Sequence, residues 1–190
     1  MLPTVLACAA SGAMMLPLAA AVFVHEAAHI LVLCAVGGRL RDFHAAPFGL
    51  RLEIDENTLS AGGEALVAAA GSAANLLSAG IAALLYAAFR IDFVNFGVLS
   101  FLYALINLLP ALPLDGGRLL YLALAARGDP CRAVRGTAGV SLALSLAVFL
   151  AASYRLLTTG QGLYALLFSL YLLTVAAKSG GMACPSKNRG

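Results

Sequence analysis

The chain has 190 residues, of which 62% are hydrophobic and only 11% charged, and its net charge is +3. Soluble domains carry about 25% charged residues, so this composition excludes a soluble globule and describes an integral membrane protein. A balance of three positive charges, with no long basic run, also excludes a nucleic-acid partner.

Six apolar segments stand out, at 2–15, 17–36, 64–89, 94–112, 137–157 and 161–178. A crossing needs about 20 apolar residues, so the expected fold is all-α and polytopic, a bundle of about six transmembrane helices. The length suits one domain, residues 1–178, followed by a short tail at 179–190. The first segment is short and ends near Pro17, either as a partial span or as the start of one long helix. It carries no Lys or Arg, which disfavours a cleavable signal peptide. Cys8, Cys34, Cys131 and Cys184 show no CxxC spacing and read as small apolar fillers or free thiols.

The second segment holds His25-Glu26-Ala27-Ala28-His29. Residues four apart share one face of a helix, so both imidazoles are placed to ligate one tetrahedral zinc. Glu26 stands beside them, where it can act on a zinc-bound water as general base. Charged and imidazole side chains are expensive inside a bilayer. Intramembrane catalysis supplies a reason for them.

Gly37-Gly38 is expected to end this helix. The polar stretch from Gly37 to Gly63 follows, and in it Leu50-Arg51-Leu52-Glu53-Ile54-Asp55 alternates at period two, as a half-exposed strand does. A β-hairpin-like loop here either caps the bundle or pairs with an extended peptide by strand addition; in the second case Ile54 contacts substrate. His44, in the same stretch, reads as an interfacial histidine rather than a ligand. Segment 64–89 is rich in Ala, Gly and Ser, and Gly71-Ser72-Ala73-Ala74 allows a neighbouring helix to approach closely. Asn75 among them favours an interhelical hydrogen bond over a direct catalytic role.

The fourth apolar segment runs into Asn107-Leu108-Leu109-Pro110-Ala111-Leu112-Pro113-Leu114-Asp115-Gly116-Gly117-Arg118. Two prolines interrupt helical hydrogen bonding, and such backbone at membrane depth belongs inside protein or beside a watery cavity. Of the eight carboxylates other than Glu26, Asp115 alone is expected both within the membrane and on the half that holds the histidines. It reads either as the cap of the helix after it or as the third zinc ligand, and the upstream His pair favours the ligand.

Ten of the twelve basic residues, among them Arg39, Arg41, Arg51, Arg118, Arg127, Arg132, Arg135 and Lys178, fall in one set of loops with the C-terminus. Arg90 and Arg155 fall in the other. The positive-inside rule puts the larger set, the C-terminus and the active-site side in the cytoplasm.

These residues resemble the site-2 proteases, a family of intramembrane zinc metalloproteases, and within it the stage IV sporulation protease of endospore-forming bacteria. The resemblance is carried by His25 to His29, by Asn107 to Arg118 against the family's Asn-Pro-Asp-Gly region, and by Pro47-Phe48-Gly49 with the strand after it. It is carried also by Gly71 to Asn75 against Gly-Pro-x-x-Asn, with Ser72 standing where the family has Pro. It implies a multi-pass protein of the bacterial cell membrane in which His25, His29 and Asp115 bind Zn²⁺, Glu26 activates water and Asn107 positions substrate. The implied substrates are membrane-embedded or membrane-associated pro-proteins, cleaved in regulated proteolysis that releases a transcription regulator such as a sporulation sigma factor, with a membrane regulator as a further partner. Two other readings are a non-catalytic membrane adaptor that sequesters a client and a metal transporter. A complete His, Glu and Asp set is superfluous in the first, and the last two apolar segments lack the charged path that the second requires.

Overall fold

A computed structural model describes residues 14–38, 40–46, 49–54 and 59–180. The first apolar segment up to residue 13, Asp55 and the tail from residue 181 lie outside the described residues. Six helices and two strands follow in order. They are α1 (Met15–Ala35), β1 (Leu40–Ala46), β2 (Gly49–Ile54), α2 (Ala61–Phe89), α3 (Val94–Asn107), α4 (Asp115–Ala125), α5 (Pro130–Thr159) and α6 (Leu163–Gly180). By length and apolarity α1, α2 and α5 can each cross a membrane, while α3 and α6 are apolar but shorter. Many of the large apolar side chains on these helices are exposed, Phe23, Leu31, Leu84 and Leu157 among them. A solvent that is itself apolar suits them, and this is the fold of a membrane protein.

The chain divides into two compact units, Met1–Asn107 and Leu108–Gly190. In the first, α1 packs against α2 and α3, and α2 packs against α3. Helix α1 stops where the sequence predicts. Gly37 adopts φ +74°, and the Gly38 amide donates to the Leu33 carbonyl at 2.9 Å, satisfying the last turn as glycine-ended helices do. The strands β1 and β2 pair antiparallel, with Phe43 opposite Leu52 and Ala46 opposite Gly49, and the register slips between Leu40 and Asp42. The alternating stretch from residue 50 thus falls on β2.

Helix α2 begins at Ser60, whose hydroxyl accepts from the Gly63 amide at 3.1 Å, and Glu64 lies in its first turn near the positive end of the helix dipole. It ends at Arg90, in the left-handed region at φ 56°, with the guanidinium 5.5 Å over the Tyr86 ring. Its buried face consists of Gly63, Val67, Ala68, Gly71, Ser72, Asn75 and Ala82. Small residues there set the spacing of the helices. A Cβ on Gly97 of α3 would stand 2.8 Å from the Ala82 Cβ.

In the second unit α4 packs on α5, and α5 on α6. Ala111, Leu114 and Leu172 form its core, covered by Leu109, Leu144, Phe168 and Tyr171. Helix α5 opens on Asp129, whose carboxylate accepts from the Cys131 amide at 3.1 Å, followed by Pro130 in the first turn, where no N–H is needed for the helix. Gly160 closes it at φ +67°. Cys34 is a free thiol, as expected. Cys131 is disulfide-bonded, which corrects the reading of the cysteines. The pairing leaves no mark in sequence spacing, because chain fold rather than proximity in sequence decides it.

Candidate metal centre

Five residues of α1 are buried: Ala21, His25, Glu26, His29 and Leu33. Four of them recur at intervals of four, the inward stripe of a helix, so the two histidines lie on the protein face and not toward lipid. His25 is 3% exposed, His29 7% and Glu26 9%. The two rings meet edge to face with centroids 4.7 Å apart.

Their Nε2 atoms lie 3.1 Å apart. The other nitrogen of His29 decides what this means. Nδ1 lies 2.7 Å from the Val67 carbonyl oxygen, which can only accept, so Nδ1 carries the proton and Nε2 presents its lone pair. Two nitrogens bound to one tetrahedral zinc, each at about 2.0–2.1 Å, stand about 3.3 Å apart. The observed separation fits a shared metal. A carbonyl holding the distal ring nitrogen is the usual support of a metal-binding histidine.

Helix α2 comes up to the pair at Gly71. A Cβ at that position would meet His29 Nε2 in direct collision, and would stand 2.7 Å from His25 Cε1 and 2.8 Å from His25 Nδ1. Only hydrogen fits there. Tyr103 of α3 packs against the other side of His25, with ring centroids 4.9 Å apart at 81°. The imidazoles are held by a carbonyl, a glycine and an aromatic ring, none of which is itself a metal ligand.

Asp115 is the first residue of α4. The cap position belongs to Leu114, which makes no side-chain cap, and Asp115 stands in the first turn. The chain before it folds tightly. Ala111 N donates to Leu109 O at 2.7 Å, and Leu114 N donates to Ala111 O at 2.8 Å. The peptide Leu112-Pro113 is cis, and the Leu112 amide donates to the Ser141 hydroxyl of α5 at 3.0 Å. Gly116 and Gly117 make this fold-back possible. A Cβ on Gly116 would stand 2.5 Å from the Leu109 oxygen, and one on Gly117 would stand 2.6 Å from the Leu112 nitrogen. The Asp-Gly-Gly run is therefore a packing requirement as well as a motif.

Two imidazoles with one carboxylate are a donor set suited to zinc, and His25, His29 and Asp115 are described residues of the types that could supply it. Asn107 is buried, and its amide nitrogen donates to the Tyr103 carbonyl at 3.0 Å, which ties it to its own helix beside the ring that touches His25. Ile54 is the last residue of β2. His44 lies in β1, opposite Arg51. The interhelical hydrogen bond expected of Asn75 is not formed. Its side chain is fully buried, and among the described residues neither Nδ2 nor Oδ1 has a partner. Sequence reasoning also passes over Val67, which contributes a backbone carbonyl and so leaves no residue-type signal, and Ser141, one hydroxyl among several in an apolar segment.

No protein-family model matches the chain, and no curated protein matches it. The fold is similar to that of a solved structure, the site-2 protease from Methanocaldococcus jannaschii, with a TM-score of 0.68 and 22% sequence identity over 89% of this chain and 78% of that one. At that identity the likeness is one of fold.

Proposed function

We propose that this protein is an intramembrane zinc metalloprotease of the site-2 type, with His25, His29 and Asp115 as ligands. The observation that carries the reading is the His pair: two buried Nε2 atoms 3.1 Å apart, one ring oriented by the Val67 carbonyl. A membrane helix has no structural need for such a pair, and the likeness of fold to a site-2 protease supports the same reading. A zinc ion there supplies Lewis-acid chemistry, polarising a peptide carbonyl and making water more acidic.

Glu26 is the general base. One residue on from His25, its Cα is turned about 100° around the helix axis, and its side chain is buried. Its carboxylate takes a proton from the attacking water, whose oxygen bonds to the scissile carbonyl carbon. The C–N bond then breaks, and Glu26 returns the proton to the departing amine nitrogen. A helical peptide bond is shielded by its own hydrogen bonds, so the substrate must be unwound first. We assign that task to β2, which would take an extended segment by strand addition ending at Ile54, and to Asn107, which would hold the segment near the site. The substrates are membrane-embedded or membrane-associated proteins cut near the cytoplasmic face. By resemblance they include transcription regulators such as a sporulation sigma factor.

The test is zinc per chain in detergent-solubilised protein, wild type against His29→Ala and Asp115→Asn. About one zinc, lost or weakened about 10-fold or more in both variants, is the expected result. Full retention in Asp115→Asn would refute the ligand set, and a well-folded wild type without zinc would favour the adaptor reading. Replacing Ile54 with Pro should slow cleavage of a membrane substrate, since it removes a strand donor. Unchanged cleavage would end the case for strand addition.

A further inference from the structure

Asn75 and two serines carry an unexplained feature of the first unit. Asn75 and Ser100 are fully enclosed and Ser72 is 1% exposed. Four of their atoms, Asn75 Nδ2 and Oδ1, Ser72 Oγ and Ser100 Oγ, have no hydrogen-bond partner among the described residues. Ser72 and Asn75 are three residues apart on α2 and share its buried face. Ser100 lies on α3, which returns antiparallel after a short connection. The site of Gly97 on α3 packs against Ala79 and Ala82 of α2. One turn further along α3 corresponds to about one turn back along α2, which brings Ser100 level with the turn after Asn75. The three side chains lie along one α2–α3 seam, within about two turns of one another.

We propose that Ser72, Asn75 and Ser100 form a binding site for ordered water, and that this water supplies hydrolysis at the metal centre; the second half rests on the protease reading. The ligand follows from the chemistry of the donors. A carboxamide and two hydroxyls are neutral and offer both donors and acceptors. They carry no charge of either sign to hold an ion against the cost of burying it. Buried polar groups are satisfied by protein or by water, and a buried water makes about two to four hydrogen bonds. One or two waters along this seam would satisfy them.

The placement gives the site its function. Gly71 abuts both imidazoles, and Asn75 is one turn beyond it on the same face, about 6 Å along the helix. Each turnover of a hydrolase consumes one water, and in a membrane that water cannot arrive through lipid. A polar niche one turn from the His pair holds it in reserve, at a position where every other buried residue of the α2 face is apolar or glycine apart from these two.

The test uses the full-length, zinc-loaded protein in detergent. Magnetisation transfer from water to the backbone amides of residues 72–76 is expected in wild type and is lost in Asn75→Leu, which keeps the bulk and removes the polarity. The same transfer in both proteins, or none in wild type, overturns the site. Ser100→Ala gives an independent measure that does not perturb packing. Removing a hydrated hydroxyl lowers the thermal midpoint or leaves it unchanged, whereas removing a dry one raises it, and a raised midpoint overturns the site. For the supply role, Asn75→Leu should lose about tenfold in kcat with KM and zinc content unchanged, and Asn75→Ser, which leaves room for water, should recover to within about twofold. Unchanged kcat in Asn75→Leu refutes that role. A wild type hydrated at 72–76 that holds no zinc and cleaves nothing refutes the protease reading instead, taking the supply role with it while the water site stands.

Discussion

Substituting Gly71 with Ala tests the construction of the metal centre with a single methyl group. The added Cβ would stand 2.7 Å from His25 Cε1 and closer still to His29 Nε2. Carbon atoms in contact sit about 3.5–4.0 Å apart, so the overlap is about 0.8 Å or more. Relief comes by moving α2 away from α1 or by turning the rings. A movement of that size takes the 2.7 Å bond from His29 Nδ1 to the Val67 carbonyl to about 3.5 Å, where it is no longer a hydrogen bond. Overpacking costs about 1–3 kcal/mol, and loss of a supporting partner costs about 10–100-fold in metal affinity. Against this, removing a glycine from a helix interior gains only about 0.5–1 kcal/mol. The clash therefore wins, and Gly71→Ala should bind zinc at least about tenfold more weakly and unfold at a lower temperature. Competition with a chelator of known affinity and a thermal melt measure the two effects. Gly80→Ala, on the same helix with nothing within 4 Å of its Cβ, is the control and should match or exceed wild type in both. A Gly71→Ala protein with wild-type zinc affinity and an undiminished midpoint would refute the reasoning.

The remaining predictions concern chemistry, the second unit and orientation. Glu26→Gln should keep its zinc and lose about 10²–10⁴-fold in the rate of peptide cleavage; a rate near wild type in a protein with full zinc would remove Glu26 from the mechanism. Ser141→Ala strips the half-buried Leu112 amide of its acceptor, a loss of about 0.5–1.5 kcal/mol, visible as a drop of a few degrees in the melt. No change there would mean that the loop before Asp115 is held by its own hydrogen bonds alone. Gly117→Ala sets a methyl against the backbone of Ala111 and Leu112, which cannot turn aside as a side chain can, so the yield of folded protein should fall more steeply than for Gly71→Ala; equal yields would contradict this. A disulfide at Cys131 is unusual on a reducing face, while Arg127, Arg132 and Arg135 beside it favour the cytoplasm. After reduction, a membrane-impermeant maleimide added to intact cells should label Cys131 only once the membrane is opened. Labelling of sealed cells would invert the orientation.

Much of the metal centre is legible in the amino-acid sequence. The spacing of His25 and His29 depends only on the helical period, and an apolar surround makes a polar pair conspicuous, so their shared inward face follows from local rules. The end of α1 at Gly37 follows likewise, since a positive φ is a property that glycine offers locally. Asp115 stands out because so few carboxylates occur in apolar sequence. What touches these residues is a different matter. Whether Asp115 caps its helix or faces elsewhere depends on how the 108–114 backbone folds. The proton on His29 is set by a carbonyl 38 residues away, and every residue has a carbonyl. The reason Gly71 must be glycine lies in α1, and the reason Gly116 and Gly117 must be glycine lies in the loop that folds back on them. Residue type alone makes Asn75 a bridge between helices, whereas tertiary packing leaves its amide without a protein partner. Periodicity and composition act through neighbours in the chain and are written in it. Close approach, tautomer and the partner of a buried amide arise between segments distant in sequence, and only the packed helices determine them.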